Sequence, residues 1–211
     1  MNRGPAIVPL YREPIMSTHT NFLIVGTGGI GSFFIDEFLK LKEAGAISTL
    51  KIASRSVKFT VQHTDGTMID EFPRLQDAIK EAHPDWFSRG GELAVIDHSD
   101  ESTIIPAFKG VEIVIAAIAF DALEKQKGLV KAAKAAGVKL FVPTEYSVPA
   151  DQTTTGIWST KTHLNTWFKE FGFPYIRVFC GMWPEYVFTP YASVYLTAKR
   201  CSNRLLQRVG Q

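Results

Sequence analysis

The chain has 211 residues, 45% of them hydrophobic, and its 23 Lys and Arg nearly balance its 21 Asp and Glu. This length favours one domain with a single sizeable core. The net charge of +2 argues against nucleic acid or an anionic membrane surface as partner and leaves a small molecule favoured. Two cysteines and the lack of a long apolar run predict no disulfide framework and no membrane span, and we expect a soluble, cytoplasmic protein.

Short β-rich runs alternate with helical patterns after an irregular arm over residues 1–20. The predicted strands are 22–25, 50–53, 93–96, 111–116, 138–142 and 175–180. The predicted helices lie near 31–43, 74–81, 102–108, 122–136 and 158–171. This alternation predicts βαβ units and an α/β fold with a doubly wound parallel sheet. Within 58–91, the stretch "FTVQHTDGTMIDEF" fits either an extended excursion or a hairpin.

The stretch "FLIVGTGGIGSFF" places four glycines between a candidate strand and a candidate helix. Gly26, Gly28 and Gly31 form the pattern GxGxxG, in which the three glycines permit the turn, the approach of a pyrophosphate and close helix packing. The helix N-terminus adds unpaired N–H groups for phosphate oxygens. The predicted cofactor loop is Gly26, Thr27, Gly28, Gly29, Ile30 and Gly31. A tight turn that binds no ligand is the alternative.

The end of the second predicted strand indicates which dinucleotide is preferred. An NAD site normally has a carboxylate there for the ribose 2′-hydroxyl, whereas this chain reads "KIASRS". Arg55 can bond a 2′-phosphate, with Ser54 as a neutral donor, so NADP is favoured over NAD. A surface arginine with no ligand remains the alternative. Ala117, in "VIAAIAF", and the residues after it are assigned to the nicotinamide side.

A lysine interrupts an apolar helical stripe formed by Ile157, Leu164, Phe168 and Phe171. Lys161 on this face must extend its ammonium to water, find a partner or have a lowered pKa, and a cofactor ribose or substrate oxygen is one such partner. The Tyr that short-chain dehydrogenases place four residues earlier is Ile157 here.

Two polar residues after the fifth predicted strand lie where an open sheet receives ligands. The sequence leaves open whether Tyr146 faces a cofactor or packs in the core, and the same holds for Glu145.

Several stretches together resemble the NmrA-like and isoflavone-reductase-like group of atypical short-chain dehydrogenases. They are "LIVGTGGIGSFF", "DHSDESTIIPAFKGVEIVI", "KAAKAAGVKLFVPTEYS", "STKTHLNTWFKEFGFPYIRV" and "CGMWPEY", in order over 21–186. The resemblance implies a Rossmann-fold domain that binds NADP, reductase activity on small phenolic or conjugated substrates in some members, and redox sensing without catalysis in others. It places Lys161 on the lysine that catalytic members use near the nicotinamide.

The end of the sequence departs from that group. Its members continue with further strands and helices that close the substrate pocket, whereas only residues 187–211, a short basic tail, follow here. We therefore expect a truncated substrate-side region.

Two functions from different classes follow. The first is an NADP-dependent oxidoreductase that transfers hydride to a small phenolic or conjugated carbonyl or alkene substrate, with Lys161 as the catalytic residue. The second is a non-catalytic NAD(P)-binding redox sensor that acts through a regulatory protein partner. His63, His83 and His98 lack ligand spacing, so no metal site is predicted. Cys180, in the apolar run "YIRVFC", is predicted to be a core residue.

Overall fold

A five-stranded parallel sheet forms the centre of the computed structural model. The structure describes residues 19–55, 60–62, 68–70, 77, 79–98, 100–155 and 158–181, and for Arg55, 60–62 and 68–70 it describes the backbone. The five strands are β1 (Asn21–Val25), β2 (Thr49–Arg55), β5 (Glu92–Ile96), β6 (Ile113–Ala116) and β7 (Leu140–Val142). Their spatial order is β5-β2-β1-β6-β7, with every neighbouring pair parallel.

Helices connect these strands and cover both faces of the sheet. They are α1 (Gly29–Glu43), α2 (Pro84–Ser88), α3 (Glu101–Phe108), α4 (Gln126–Ala136) and α5 (Ser159–Phe171), with a short 3-10 helix at Phe120–Lys125 before α4. Gly137 and Gly172 follow α4 and α5 with φ of 79° and 67°, the left-handed C-cap conformation that glycine favours.

Alternating strand residues divide the core between the two faces. On β1, Phe22 and Ile24 pack with Ile35 and Leu39 of α1. The intervening residues of β1 belong to a second cluster, together with side chains of α3, α4 and α5: Leu23, Val25, Ile104, Phe108, Leu129, Leu164 and Phe168. A sheet buried on both faces explains the continuously apolar strands and confirms the predicted doubly wound α/β fold.

The strand order places the ligand crevice. The chain enters at β1 and winds outward through β2 to β5, then returns across β1 to β6 and β7. The order therefore reverses between β1 and β6, and ligands of open α/β sheets bind at the carboxyl ends of the strands beside such a reversal.

The predicted sixth strand, 175–180, is wrong in its extent. A single parallel bridge joins Tyr175 to Phe141, and beyond it the amide of Tyr146 donates to the carbonyl of Val178. The segment lies at the edge of the sheet, and among the described residues a strand pairs with only one side of it. Ile176 and Val178 are exposed, and so is Cys180, which corrects the prediction that Cys180 is a core residue.

A small hairpin occupies the segment that the sequence left open. Strand β3 (Thr60–Gln62) pairs antiparallel with β4 (Met68–Asp70) in a separate two-stranded sheet. Of the predicted helix near 74–81, residues 77 and 79–81 are described, and all of them are helical. The rest of that helix, most of the arm over 1–20 and all of the tail over 187–211 lie outside the described residues.

Candidate functional site

The glycine loop packs against the end of β6. Gly26 has a φ of +112°, and a Cβ placed on it would lie 2.3 Å from the carbonyl oxygen of Ala117. A Cβ on Gly31 would lie 2.1 Å from the carbonyl oxygen of Gly26. Since both obstacles are backbone atoms, only glycine fits either position, and the structure brings Gly26, Gly31 and Ala117 together as expected of a dinucleotide loop.

The middle of the same loop is open. A Cβ on Gly28 or Gly29 would meet nothing within 4 Å. Gly28 is the N-cap of α1 and supplies no side-chain capping bond, so the first N–H groups of this 15-residue helix are available to an anion. Open backbone at a helix N-terminus is what a pyrophosphate requires, and the loop fits that group.

The residues predicted to select NADP lie at the end of β2, next to β1 in the sheet. Ser54 is buried, with 8% of its surface exposed. Arg55 is the last residue of β2, and its backbone is paired with Ile96 of β5. Because the side chain of Arg55 is outside the described part of the structure, its contact with a 2′-phosphate stays a prediction.

Hydrogen bonds tie together the carboxyl ends of β6 and β7. The amide of Ile118 donates to Oγ1 of Thr144 at 3.1 Å, and the amide of Thr144 donates to Oε1 of Gln126 at 2.7 Å. Gln126 is almost fully buried, which reserves its side chain for this contact. These bonds hold the segment after Ala117 against the loop after β7.

Tyr146 belongs to the core. Its hydroxyl donates to the carbonyl of Ala116 at 2.8 Å, its ring packs edge-on against Phe34, and 3% of its surface is exposed. Burial raises the pKa of this phenol. Tyr146 therefore holds the end of β6 in place. Of the two alternatives left open by the sequence, Tyr146 packs in the core.

Lys161 lies buried in the first turn of α5 with 4% of its surface exposed. Its Nζ donates to the backbone carbonyl of Glu145 at 2.5 Å and lies 3.4 Å from Oε2 of the same residue. Burial lowers the pKa of Lys161, and the carboxylate of Glu145 opposes that change. Lys161, Leu164 and Phe168 of the predicted stripe are buried, whereas Ile157 lies outside the described residues. On this buried face the ammonium of Lys161 has an internal partner.

Glu145 connects Lys161 to a charged cluster that sequence reasoning missed. Oε1 of Glu145 accepts from Nε of Arg177 at 3.0 Å, and Arg177 continues to Asp151, whose Oδ1 accepts from Nδ2 of Asn165 at 2.9 Å. A signal was present, since Arg177 interrupts the apolar run "YIRVFC" and a cation there requires a partner.

Two aromatic rings lie beside the lysine. Nζ of Lys161 is 5.3 Å from the ring centre of Trp158, which stands edge-on to Phe120 at 6.0 Å. Phe120, in the 3-10 helix after β6, has 43% of its surface exposed. This arrangement offers an apolar, aromatic wall next to a cation.

Neither a metal centre nor a membrane span occurs among the described residues. There, no group of three or more His, Cys, Asp or Glu residues is placed to hold a metal ion. No helix in the described ranges is long and apolar enough to cross a bilayer.

The model of the NmrA-like family matches residues 18–205, most of the chain. The chain belongs to the NmrA-like family. The match includes the glycine loop, the loop after β7 and Lys161 on α5, and it confirms the resemblance drawn from the sequence.

The proteins that are similar to this chain are longer than it is. An isoflavone reductase homologue, A622-like, of Nicotiana tabacum is 24% identical over 179 residues, which are 82% of this chain and 51% of that protein. An isoflavone reductase crystal structure has a TM-score of 0.63 at 26% identity, covering 81% of this chain and 52% of its own. The complex of AtPrR2 with NADP+ and (+)pinoresinol has a TM-score of 0.60 at 20% identity, over 80% of this chain and 52% of that one. The chain thus spans about half the length of the relatives it matches.

Proposed function

We propose that this chain is an NADP-dependent oxidoreductase of the isoflavone-reductase-like type, which transfers hydride to a small phenolic or conjugated carbonyl or alkene substrate. The glycine loop carries the proposal, because its open face at Gly28 lies at the sheet reversal and its closed face rests on Ala117. The similarity to the AtPrR2 complex with NADP+ and (+)pinoresinol supports the choice of cofactor and substrate class.

The loop residues bind and orient the dinucleotide. The backbone amides of the first turn of α1 would contact the pyrophosphate, with the positive end of the helix dipole adding to the attraction. Ser54 and Arg55 at the end of β2 would hold the ribose and its 2′-phosphate, and Ala117 would adjoin the nicotinamide side. Bound NADPH would supply the hydride.

Lys161 is the residue to which we assign the chemistry. As an ammonium it has three N–H donors, and the carbonyl of Glu145 accepts one of them. Another would donate to the substrate oxygen on which charge develops, in a buried environment that strengthens the interaction. Trp158 and Phe120 would supply the apolar surface against which a conjugated substrate packs.

A redox sensor that binds NADP(H) without turnover is the second candidate. The observation that favours it is the ammonium of Lys161, which is buried with Glu145, while no Tyr stands four residues before it. The exposed apolar side chains Ile176, Val178 and Phe179 on the segment after α5 would suit a protein partner. The two candidates share the dinucleotide site and differ in consumption of NADPH.

Thermal unfolding of the purified chain with NADPH, with NADH and without nucleotide tests the site first. A ligand at a hundred times its dissociation constant adds about 2.7 kcal/mol when only the native state binds it. We expect NADPH to raise the melting temperature more than NADH does, and Arg55→Gln to remove that preference. Lys131→Gln, which removes a charge from the exposed face of α4, is the matched control. A transition that neither nucleotide moves would exclude both candidates.

Turnover then separates the candidates. NADPH oxidation is followed with a panel of phenolic and enone substrates, for the wild type and for Lys161→Met. The reductase predicts turnover that Lys161→Met abolishes while NADPH binding stays within a few-fold. Selective binding of NADPH with no turnover in the wild type would favour the sensor, and unchanged turnover in Lys161→Met would exclude Lys161 from the mechanism.

A further inference from the structure

One buried carboxylate serves two cations. Glu145 follows β7 and has 4% of its surface exposed. Its Oε2 approaches Lys161 on α5, and its Oε1 approaches Arg177 on residues 175–180, which lie at the edge of the sheet and are called the edge segment below. The distances are 3.4 Å to Nζ of Lys161 and 3.0 Å to Nε of Arg177. A single negative charge cannot fully compensate two positive charges, so in this buried cluster the two cations compete for it.

A second carboxylate compensates Arg177 from the outside. The terminal nitrogens of its guanidinium lie 2.9 and 2.8 Å from the two oxygens of Asp151, whose side chain is 44% exposed. Asn165, buried on α5, donates to the same carboxylate and fixes its orientation. Lys161, Glu145, Arg177 and Asp151 therefore form a chain of alternating charge that leads from the interior to the surface.

At the buried end of this series of charges, one carboxylate oxygen of Glu145 can accept a further hydrogen bond. Oε2 of Glu145 is buried and accepts no hydrogen bond from the described part of the chain, although Nζ of Lys161 is 3.4 Å away. Nζ is instead directed at the backbone carbonyl of Glu145. Backbone carbonyl, carboxylate and the ring of Trp158 together confine the ammonium to one region of the site.

We propose that Glu145 and Arg177 are positioning residues for Lys161, with Glu145 retaining the ammonium and Arg177 weakening that hold by drawing on the same carboxylate. The inference rests on the proposed function for the statement that Lys161 meets the substrate. The coupling between the three residues rests on the contacts alone.

The two positioning residues act on Lys161 with opposite sign. Burial lowers the pKa of Lys161, the negative charge of Glu145 raises it, and the positive charge of Arg177 lowers it further. Cys180, at the end of the same edge segment, raises it slightly, and Asp151 acts through its pairing with Arg177. An amine with a lowered pKa releases its proton more readily than an ordinary lysine does, which favours a role as general acid.

The direct test measures the titration of Lys161 by NMR in the full chain labelled with 13C-lysine, without nucleotide. The Cε resonance of Lys161 is assigned from its loss in Lys161→Met. We expect the titration midpoint to move down in Glu145→Gln and up in Arg177→Gln, and to move down in Asp151→Asn, since Arg177 then bears uncompensated charge. A merely structural role for either residue would not produce shifts of opposite sign.

Matched variants keep this test decisive. Glu112→Gln removes a hydrogen-bonded carboxylate at the opposite, amino ends of the strands and should leave the midpoint of Lys161 unchanged. Arg177→Lys keeps the charge and should restore much of the wild-type midpoint. If Glu145→Gln fails to fold, the comparison of Arg177→Gln with Arg177→Lys still decides. Midpoints that move together, or not at all, would overturn the proposal.

Kinetics supplies the second readout. Glu145→Gln should lower kcat by up to about a hundredfold, the order expected when a reacting group is misplaced, with KM for NADPH unchanged. Arg177→Gln should move the pH profile of kcat towards alkaline pH. If the wild type shows no turnover, the proposed function fails while the NMR titration still tests the coupling, so the two failures are distinguishable.

Discussion

The hydroxyl of Tyr146 donates a hydrogen bond to the backbone carbonyl of Ala116, 2.8 Å away, inside the core. It joins the loop after β7 to the last residue of β6, the residue before Ala117. The carboxyl edge that carries the candidate site is therefore held together by a buried side chain, and its glycine loop rests on a fixed support.

Tyr146→Phe should destabilise the protein without impairing chemistry. The substitution leaves the carbonyl of Ala116 without its buried donor, which costs about 1–3 kcal/mol. Urea unfolding measures the loss, and Tyr175→Phe, which leaves this bond intact, is the control. A variant that kept its stability but lost turnover would instead identify Tyr146 as catalytic.

Gly31→Ala and Gly28→Ala should fail in different ways. A Cβ on Gly31 collides with backbone at 2.1 Å, so we expect a loss of about 1–3 kcal/mol in the free energy of unfolding. A Cβ on Gly28 meets nothing and should cost less than about 1 kcal/mol. It would project into the open face of the loop, and we expect NADPH affinity to fall roughly tenfold or more, equivalent to about 1.4 kcal/mol.

Unfolding curves and fluorescence titration with NADPH separate these two effects. Gly28→Ala with unchanged NADPH affinity would argue that the dinucleotide does not approach this part of the loop. Gly31→Ala with wild-type stability would contradict the close packing of α1 on the end of β1.

Local patterns explain which parts of the site could be predicted. The close packing of Gly26 and Gly31 involves neighbours within the loop and one contact with the residue after β6. The GxGxxG pattern between strand and helix was therefore enough to predict it. Helical periodicity within one segment predicted the apolar face on which Lys161 lies, but left open whether its ammonium extends to water. In both cases the physical cause is contained in a short stretch of sequence.

The partners of these residues could not be predicted. Glu145 and Arg177 are 32 positions apart, and their contact depends on the path of the edge segment past β7. The prediction that Cys180 is a core residue was wrong for the same reason. An apolar run is buried on both sides only where further strands of the sheet flank it. Pairing between distant segments is set by the topology, which a single sequence does not specify.

Acid should weaken the edge where β1 and β6 begin. The ammonium of Lys139 and the amide of Thr20 hold the pKa of Glu112 at about 2, well below its ordinary value. The unfolded chain then binds this proton more tightly than the native state does, so the stabilisation is complete above about pH 4.5 and is lost as the pH falls towards 2.

The difference in unfolding free energy between the wild type and Glu112→Gln, measured from pH 7 to pH 3, checks this. It should shrink with acid, whereas Glu37→Gln, which breaks an exposed pair with Lys40 on α1, should give a small and nearly constant difference. A Glu112→Gln difference that did not depend on pH would show that the carboxylate contributes no charge-dependent stability.

Alkaline pH should stabilise the protein through Lys161. Because burial lowers the pKa of Lys161 below its ordinary value of 10.5, the unfolded chain holds this proton at pH values where the native state has released it. Unfolding therefore takes up a proton in that window, and the contribution of Lys161 to stability rises with pH until the ordinary pKa is passed.

The unfolding free energy of the wild type minus that of Lys161→Met should increase from neutral pH towards pH 10. The same difference for Lys131→Met, on the exposed face of α4, should stay nearly constant. A decrease with pH would mean that the ammonium is held more firmly by Glu145 than burial disfavours it, and Lys161 would then be a structural cation and not a proton donor.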